Sequence, residues 1–83
     1  MRLRYFAWVR ERVGHAEEDL TLPAGVDSVA DLMRWLAERD EGYASAFAEP
    51  RMIRAAIDRE HVEHDAPIGA AREVAFFPPM TGG

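Results

Sequence analysis

The stretch Glu73–Gly83, EVAFFPPMTGG, decides how the rest of this chain folds around it. Glu73 to Phe77 alternate and carry Val and Phe, the pattern of a half-buried strand. Pro78 and Pro79 then remove two backbone donors and hold φ near about −65°, so a sheet ladder must stop there. Met80, Thr81, Gly82 and Gly83 follow with no periodicity, and the last two carry no side chain. The pattern predicts a strand that delivers a thin tail, residues 78–83. The tail ends in a carboxylate on a carbon without Cβ, open to approach from either side. A bare Gly-Gly would read as a frayed end, but one set behind a strand and a double proline is a different object.

The chain's 83 residues make one domain, 1–83, with a core only just sufficient on its own. No 18-residue apolar run occurs, and Arg2 and Arg4 flank apolar residues at the start, so neither a membrane span nor a signal peptide is expected and the location expected is cytoplasmic. Net charge is −5, with 15 acidic against 10 scattered basic residues, which argues against nucleic acid. Cysteine is absent, so disulfides, thiolate metal sites and a persulfide on this chain are excluded; any sulfur it carried would sit on the carboxyl terminus. All ten basic residues are arginine. An activated terminal glycine would therefore meet no side-chain amine on copies of its own chain, although an Ala- and Arg-rich composition accounts equally for the absence.

Leu3, Tyr5, Ala7 and Val9 share one parity and Arg2, Arg4, Phe6 and Trp8 the other, which predicts a first strand with Phe6 and Trp8 outward. Val9 to Val13 loosen the pattern into a short helical turn before Gly14 and His15. Glu17–Leu22 predicts a second strand, Leu20 and Leu22 inward, forming a hairpin with the first. Ser28 with Asp31 is a capping signal, and Val29, Leu32, Met33 and Leu36 follow at helical spacing, with Trp35 at the edge of the stripe and Arg34, Glu38 and Arg39 toward water. One more helical turn is expected over Tyr43–Ala48. Met52–Ile57 resume a period of two, with Ile53, Ala55 and Ile57 on one face, which predicts a third strand; Asp58–Glu60 make a turn, and Val62 a short fourth. Strand, strand, helix, strand, short strand, strand is the order of an α+β β-grasp: a mixed sheet with one main helix on one face and an extended C-terminal tail.

EVAFFPPMTGG, together with LRYFAWVRERVG at the start, resembles the small sulfur-carrier subunit of molybdopterin synthase, the MoaD type of the ubiquitin-like carriers. The turn before the last strand reads Gly69-Ala70-Ala71-Arg72, without the family's Asp, so the strand and tail match most closely. Asp58 stands where the family usually has Asn; either side chain can bond nearby backbone. The resemblance implies that an E1-like adenylating enzyme, using ATP, activates Gly83, with Gly82 beside it. A sulfur donor enzyme then converts the acyl group to a thiocarboxylate. The tail enters the large synthase subunit, in a heterotetramer, and sulfurates a pterin precursor in molybdenum cofactor biosynthesis. The chain itself would bind no cofactor and would act as a sulfur-donating subunit, not as an enzyme on its own.

From parity, Phe77 shares the outer sheet face with Phe6 while Val74 and Phe76 face the helix. Phe6, Phe77, Pro78, Pro79, Met80 and Thr81 are the expected partner-binding residues, with His61 near the patch. His61, Glu63, His64 and Asp65 suggest a metal site only superficially: in a strand the two histidines point to opposite faces, and a solvated pair is expected. No Ser-His-Asp, Cys-His or phosphate-loop arrangement is present in the sequence. Two other readings share the fold: a carrier for thiazole synthesis or protein conjugation, and an interaction domain whose tail does no chemistry.

Overall fold

A computed structural model describes residues 1–79. Its sheet has five strands: β1 (Arg2–Tyr5), β2 (Glu17–Asp19), β3 (Arg54–Ile57), β4 (Glu60–Val62) and β5 (Glu73–Phe77), in the order β2-β1-β5-β3-β4. The central pair, β1 and β5, is parallel with Tyr5 beside Phe76; every other pairing is antiparallel. Helices α1 (Ala7–Val13), α2 (Val29–Ala37) and α3 (Glu41–Ala46), with a 3-10 turn at Pro50–Met52, supply the second layer. A mixed sheet covered by helices on one face is the α+β β-grasp architecture read from the sequence.

Helix α2 forms where its sequence specifies it. Ser28 accepts from the Asp31 amide while the Asp31 carboxylate accepts from the Ser28 amide, a complete capping box. Val29, Leu32, Met33 and Leu36 are all buried, as the spacing predicts, against Leu3, Tyr5, Val74 and Phe76. Each such side chain removed from water stabilises the fold by roughly 1.5–3 kcal/mol. Trp35 packs at the edge of this core, and Arg34, Glu38 and Arg39 are exposed.

The first strand is shorter than parity predicted. It stops at Tyr5; Phe6 caps a helix, and Ala7, at φ 53°, turns the chain out of the sheet. Trp8 is accordingly a helical residue with Arg12 stacked over its ring at 4.5 Å, not an outward strand residue. The physical reason is burial: Val9 and Val13, four apart, both enter the core while Glu11, which a strand would place on their face, is exposed, a pattern that suits a helix. β1 and β2 do pair antiparallel, but through α1, so the predicted hairpin is corrected to a helical connection. β2 ends at Asp19, and Leu20 and Leu22 pack against the core from beyond it. The helical turn expected over Tyr43–Ala48 is displaced to Glu41–Ala46, because the Asp40 carboxylate accepts from the Tyr43 amide and starts it earlier.

Candidate functional site

β5 lies between β1 and β3 and is hydrogen-bonded on both sides, so its far end is a rigid root for whatever follows. Val74 and Phe76 are fully buried; the Phe76 ring meets Phe47 edge-on at 5.1 Å and stacks on Tyr5 at 6.4 Å. At the start of the strand, Asp58 accepts through one carboxylate oxygen from the amides of Arg72 and Glu73, both at 3.0 Å. Asp58 and Arg59, at φ 47° and 74°, form the two-residue β3–β4 turn, a conformation that such tight hairpins require. The Asp58 carboxylate thus ties that turn to the beginning of β5, while the aromatic cluster holds its end.

Phe77 falls on the opposite face, half-buried, because the His61 ring packs against it at 5.1 Å. Around it on the same parity stand Ala75, Ala56 and Arg54. Phe6 is beside them: its amide donates to the Phe76 carbonyl at 3.1 Å, and Arg4 lies 5.2 Å over its ring. Among the described residues the large exposed apolar side chains are Phe6 and Met52, at 38% and 45% exposure. Both stand at the end where β5 stops: Phe6 follows Tyr5, the partner of Phe76, and Met52 precedes Arg54, the partner of Phe77, by two residues. The sequence pattern did not single out Met52, which reads as the start of a strand; its signal is proximity to Pro50, which starts a 3-10 turn instead.

Of the sequence-predicted site residues, Phe6, Phe77, Pro78 and Pro79 are therefore brought to one end of the sheet, the prolines half-buried behind Phe77. Met80, Thr81, Gly82 and Gly83 lie outside the described residues. His61 sits in the patch as expected. His64 is not the solvated partner predicted for it: its Nε2 bonds to the Ile53 carbonyl at 2.8 Å, joining the end of β4 to the start of β3.

The densest polar group in the fold is elsewhere, on the helical side. The Glu18 carboxylate accepts from the hydroxyls of Tyr5, at 2.8 Å, and Tyr43, contacts His15 Nε2 at 3.1 Å and pairs with Arg39 at 3.3 Å. Burial works to raise its pKa, but the bonds from Tyr43, Tyr5 and His15 and the Arg39 charge outweigh it and hold Glu18 below the usual carboxylate range. Burial first, and then Glu18 itself, push both tyrosines well above the ordinary phenol value. Every member is accounted for by this internal network, which pins β2 to the helices. At the end of the sheet opposite Phe77, an open groove of about 630 Å³ is lined by Met1, Leu22, Val26 and Ile68, with Thr21 and Asp27 its polar side chains. Neither arrangement sets a nucleophile against a base.

The site is thus a presentation surface: a rigid central strand that ends in a double proline, ringed by apolar side chains. That geometry defines the β-grasp class, a domain whose central strand stops at an edge carrying exposed apolar side chains. The chain belongs to the ThiS family, whose profile matches residues 3–83. The resemblance to the MoaD type is shown by two relatives, each a molybdopterin synthase sulfur carrier subunit. That of Escherichia coli K12 is 34% identical over 83 residues, covering 100% of this chain and 99% of the relative. That of Mycosarcoma maydis is 34% identical over 89 residues, covering 100% and 92%. The fold is shared with SAMP1 of Haloferax volcanii, whose crystal structure superposes at a TM-score of 0.70 with 23% identity, covering 100% of this chain and 98% of that one. No helix among the described residues is long and apolar enough to cross a membrane.

Proposed function

We propose that this protein is the sulfur carrier of a molybdopterin synthase, and that Gly83 is the group that carries the sulfur. The observation that supports this most is the placement of β5: the strand leading to Thr81-Gly82-Gly83 is the sheet's central one, fixed at both ends, and the exposed apolar residues gather where it stops. A frayed terminus needs no such mounting. A carboxylate is a poor electrophile until one oxygen becomes part of a good leaving group. In the proposed cycle a Gly83 oxygen attacks the α-phosphorus of ATP in an E1-like partner, releasing pyrophosphate. A donor sulfur then displaces AMP to leave the thiocarboxylate. The tail delivers that sulfur to a pterin precursor in the large synthase subunit.

Phe6, Phe77, Pro78 and Pro79 would hold the partner while the tail, Met80 to Gly83, enters its site. Docking of this kind converts a bimolecular sulfur transfer into one with a high effective concentration of the reacting group. The chain supplies a reagent and its address, and the partners supply the catalysis. Intact mass after incubation with the adenylating enzyme, ATP and a sulfide source tests the reading. The expected result is a gain equal to sulfur minus oxygen, located to Gly83. An unchanged mass alongside a partner that consumes ATP with other carriers would refute it.

A further inference from the structure

The sheet face turned away from the helices carries its charges unevenly. On the β2 side and at the start of β5, acids and bases cancel: Arg2 forks onto Glu17 at 2.6 Å and Asp19 at 2.9 Å, and Arg4 reaches Glu73 at 3.9 Å. By register and parity, Glu17, Asp19 and Glu73 are the acids that the strands place on this face, and all three are thereby engaged.

Toward the tail the balance is lost. Ala75 and Ala56 stand opposite one another, both buried, and form a flat apolar floor with His61 across from Ala56. The next position along brings Arg54 beside Phe77. Arg54 is exposed and, among the described residues, makes no ion pair and stacks on no ring; the Phe77 ring is covered by His61 instead. Glu63, just past β4, lines the same small cleft as Arg54 and His61 without coming within ion-pair distance of either. An isolated surface arginine is ordinary, but this one flanks the last residue of the strand that carries the tail. On a chain of net charge −5 it gives the docking face a local cation where the molecule as a whole would repel an acidic partner.

A protein that takes in the tail covers Arg54 as well and withdraws its guanidinium from bulk water. Covering a charge is costly unless an opposite charge meets it, and the planar guanidinium fork matches a carboxylate. We infer that the large subunit, on the carrier reading proposed above, presents an aspartate or glutamate to Arg54 at the root of the tail, so that partner choice rests on a charge pair set beside the apolar anchor Phe77.

Arg54→Leu separates this arrangement from purely apolar docking, because the two give opposite expectations. On an apolar face leucine binds as well as arginine or better; opposite a carboxylate it leaves that group covered and unpaired. Titration with the large subunit should show a Kd weakened at least about tenfold for Arg54→Leu, and likewise for Arg54→Gln, which keeps the position polar. Wild-type affinity should fall as salt is raised toward about 1 M, where the screening length is about 3 Å, and the affinity of both uncharged variants should fall less. Arg54→Lys keeps the charge without the fork and should recover part of the affinity and most of the salt dependence. Melting midpoints should stay close to that of the wild type, since the side chain is exposed and unpaired. Leucine and glutamine variants that bind as tightly as wild type would overturn the inference, as would a loss of affinity that is the same at every salt concentration, or a lysine variant no better than glutamine. Sulfur delivery by the wild type, measured alongside, keeps the two readings apart. Wild type that binds no large subunit and delivers no sulfur would remove the carrier reading and this inference with it, whereas wild type that binds and delivers sulfur no better than Arg54→Leu would remove the inference alone.

Discussion

Phe76 and Phe77 are neighbours in sequence on opposite faces of one strand, and truncating each to alanine separates folding from docking. Phe76 is fully buried, edge-on to Phe47 and stacked on Tyr5, so Phe76→Ala leaves a cavity in the centre of the core and costs about 3–5 kcal/mol. A chain of 83 residues has a total stability of only roughly 4–12 kcal/mol. At about 4–8 °C per kcal/mol, the melting midpoint should fall by at least about 12 °C, and a weak parent would not fold. Phe77 is half-buried against His61 on the outer face, and its truncation costs about 1 kcal/mol of stability. If Phe77 anchors the large subunit, the same change removes about 2 kcal/mol or more of binding, roughly a thirtyfold weaker Kd. Urea denaturation gives the first quantity and calorimetric titration with the large subunit gives the second. Equal destabilisation by the two variants, or unchanged affinity for Phe77→Ala, would refute the assignment of faces.

Other consequences follow from particular contacts. A Cβ on Gly42 would lie 2.6 Å from the Arg12 carbonyl oxygen, so Gly42→Ala should cost about 1–3 kcal/mol in denaturant melts, although alanine is intrinsically the better helix former. Asp58→Ala strips the acceptor from two backbone amides and should cost about 1–3 kcal/mol, with Asp58→Asn restoring most of it; an Asp58→Ala variant as stable as the wild type would show that the side chain is not the tie. Glu18 has its folded pKa held below the unfolded one, near about 4.3, so its contribution is present above that pH and is lost as pH falls through the folded value. The stability gap between wild type and Glu18→Gln should therefore be full at pH 7 and shrink in acid, and a gap constant down to pH 3 would contradict the role given to the carboxylate.

What was legible in the sequence follows from which contacts are local. The α2 capping box and its apolar stripe lie within nine residues of one another, and the parity of Val74, Phe76 and Phe77 needs only the period of a strand. The two prolines that end β5 carry their meaning in their own backbone chemistry. The start of the chain misled because alternation through Phe6 and Trp8 continues past the point where Ala7 turns left-handed, and one residue's φ is not a periodic signal. Val9 and Val13 at helical spacing were the cue present. Glu18 shares the parity of Leu20 and so pointed inward by rule, but the hydroxyls that donate to it there come from Tyr5 and Tyr43, thirteen and twenty-five residues away. Met52 follows from Pro50, which starts a 3-10 turn two residues before it, whereas His64 took its place through a bond to the Ile53 carbonyl, eleven residues away, which no local pattern encodes.

The central claim, that the end of the tail is the reacting group and the sheet only its mount, is tested most directly by deleting Gly83. Deletion withdraws the carboxylate by one residue, about 3.3–3.6 Å, a misplacement large enough to prevent transfer while leaving the docking face intact. Wild type and the deletion are treated with the adenylating enzyme and a sulfide source, and affinity for the large subunit is measured beside sulfur delivered to the pterin precursor. The account predicts unchanged affinity with delivery abolished. A shortened chain that binds and delivers sulfur as the wild type does would contradict it.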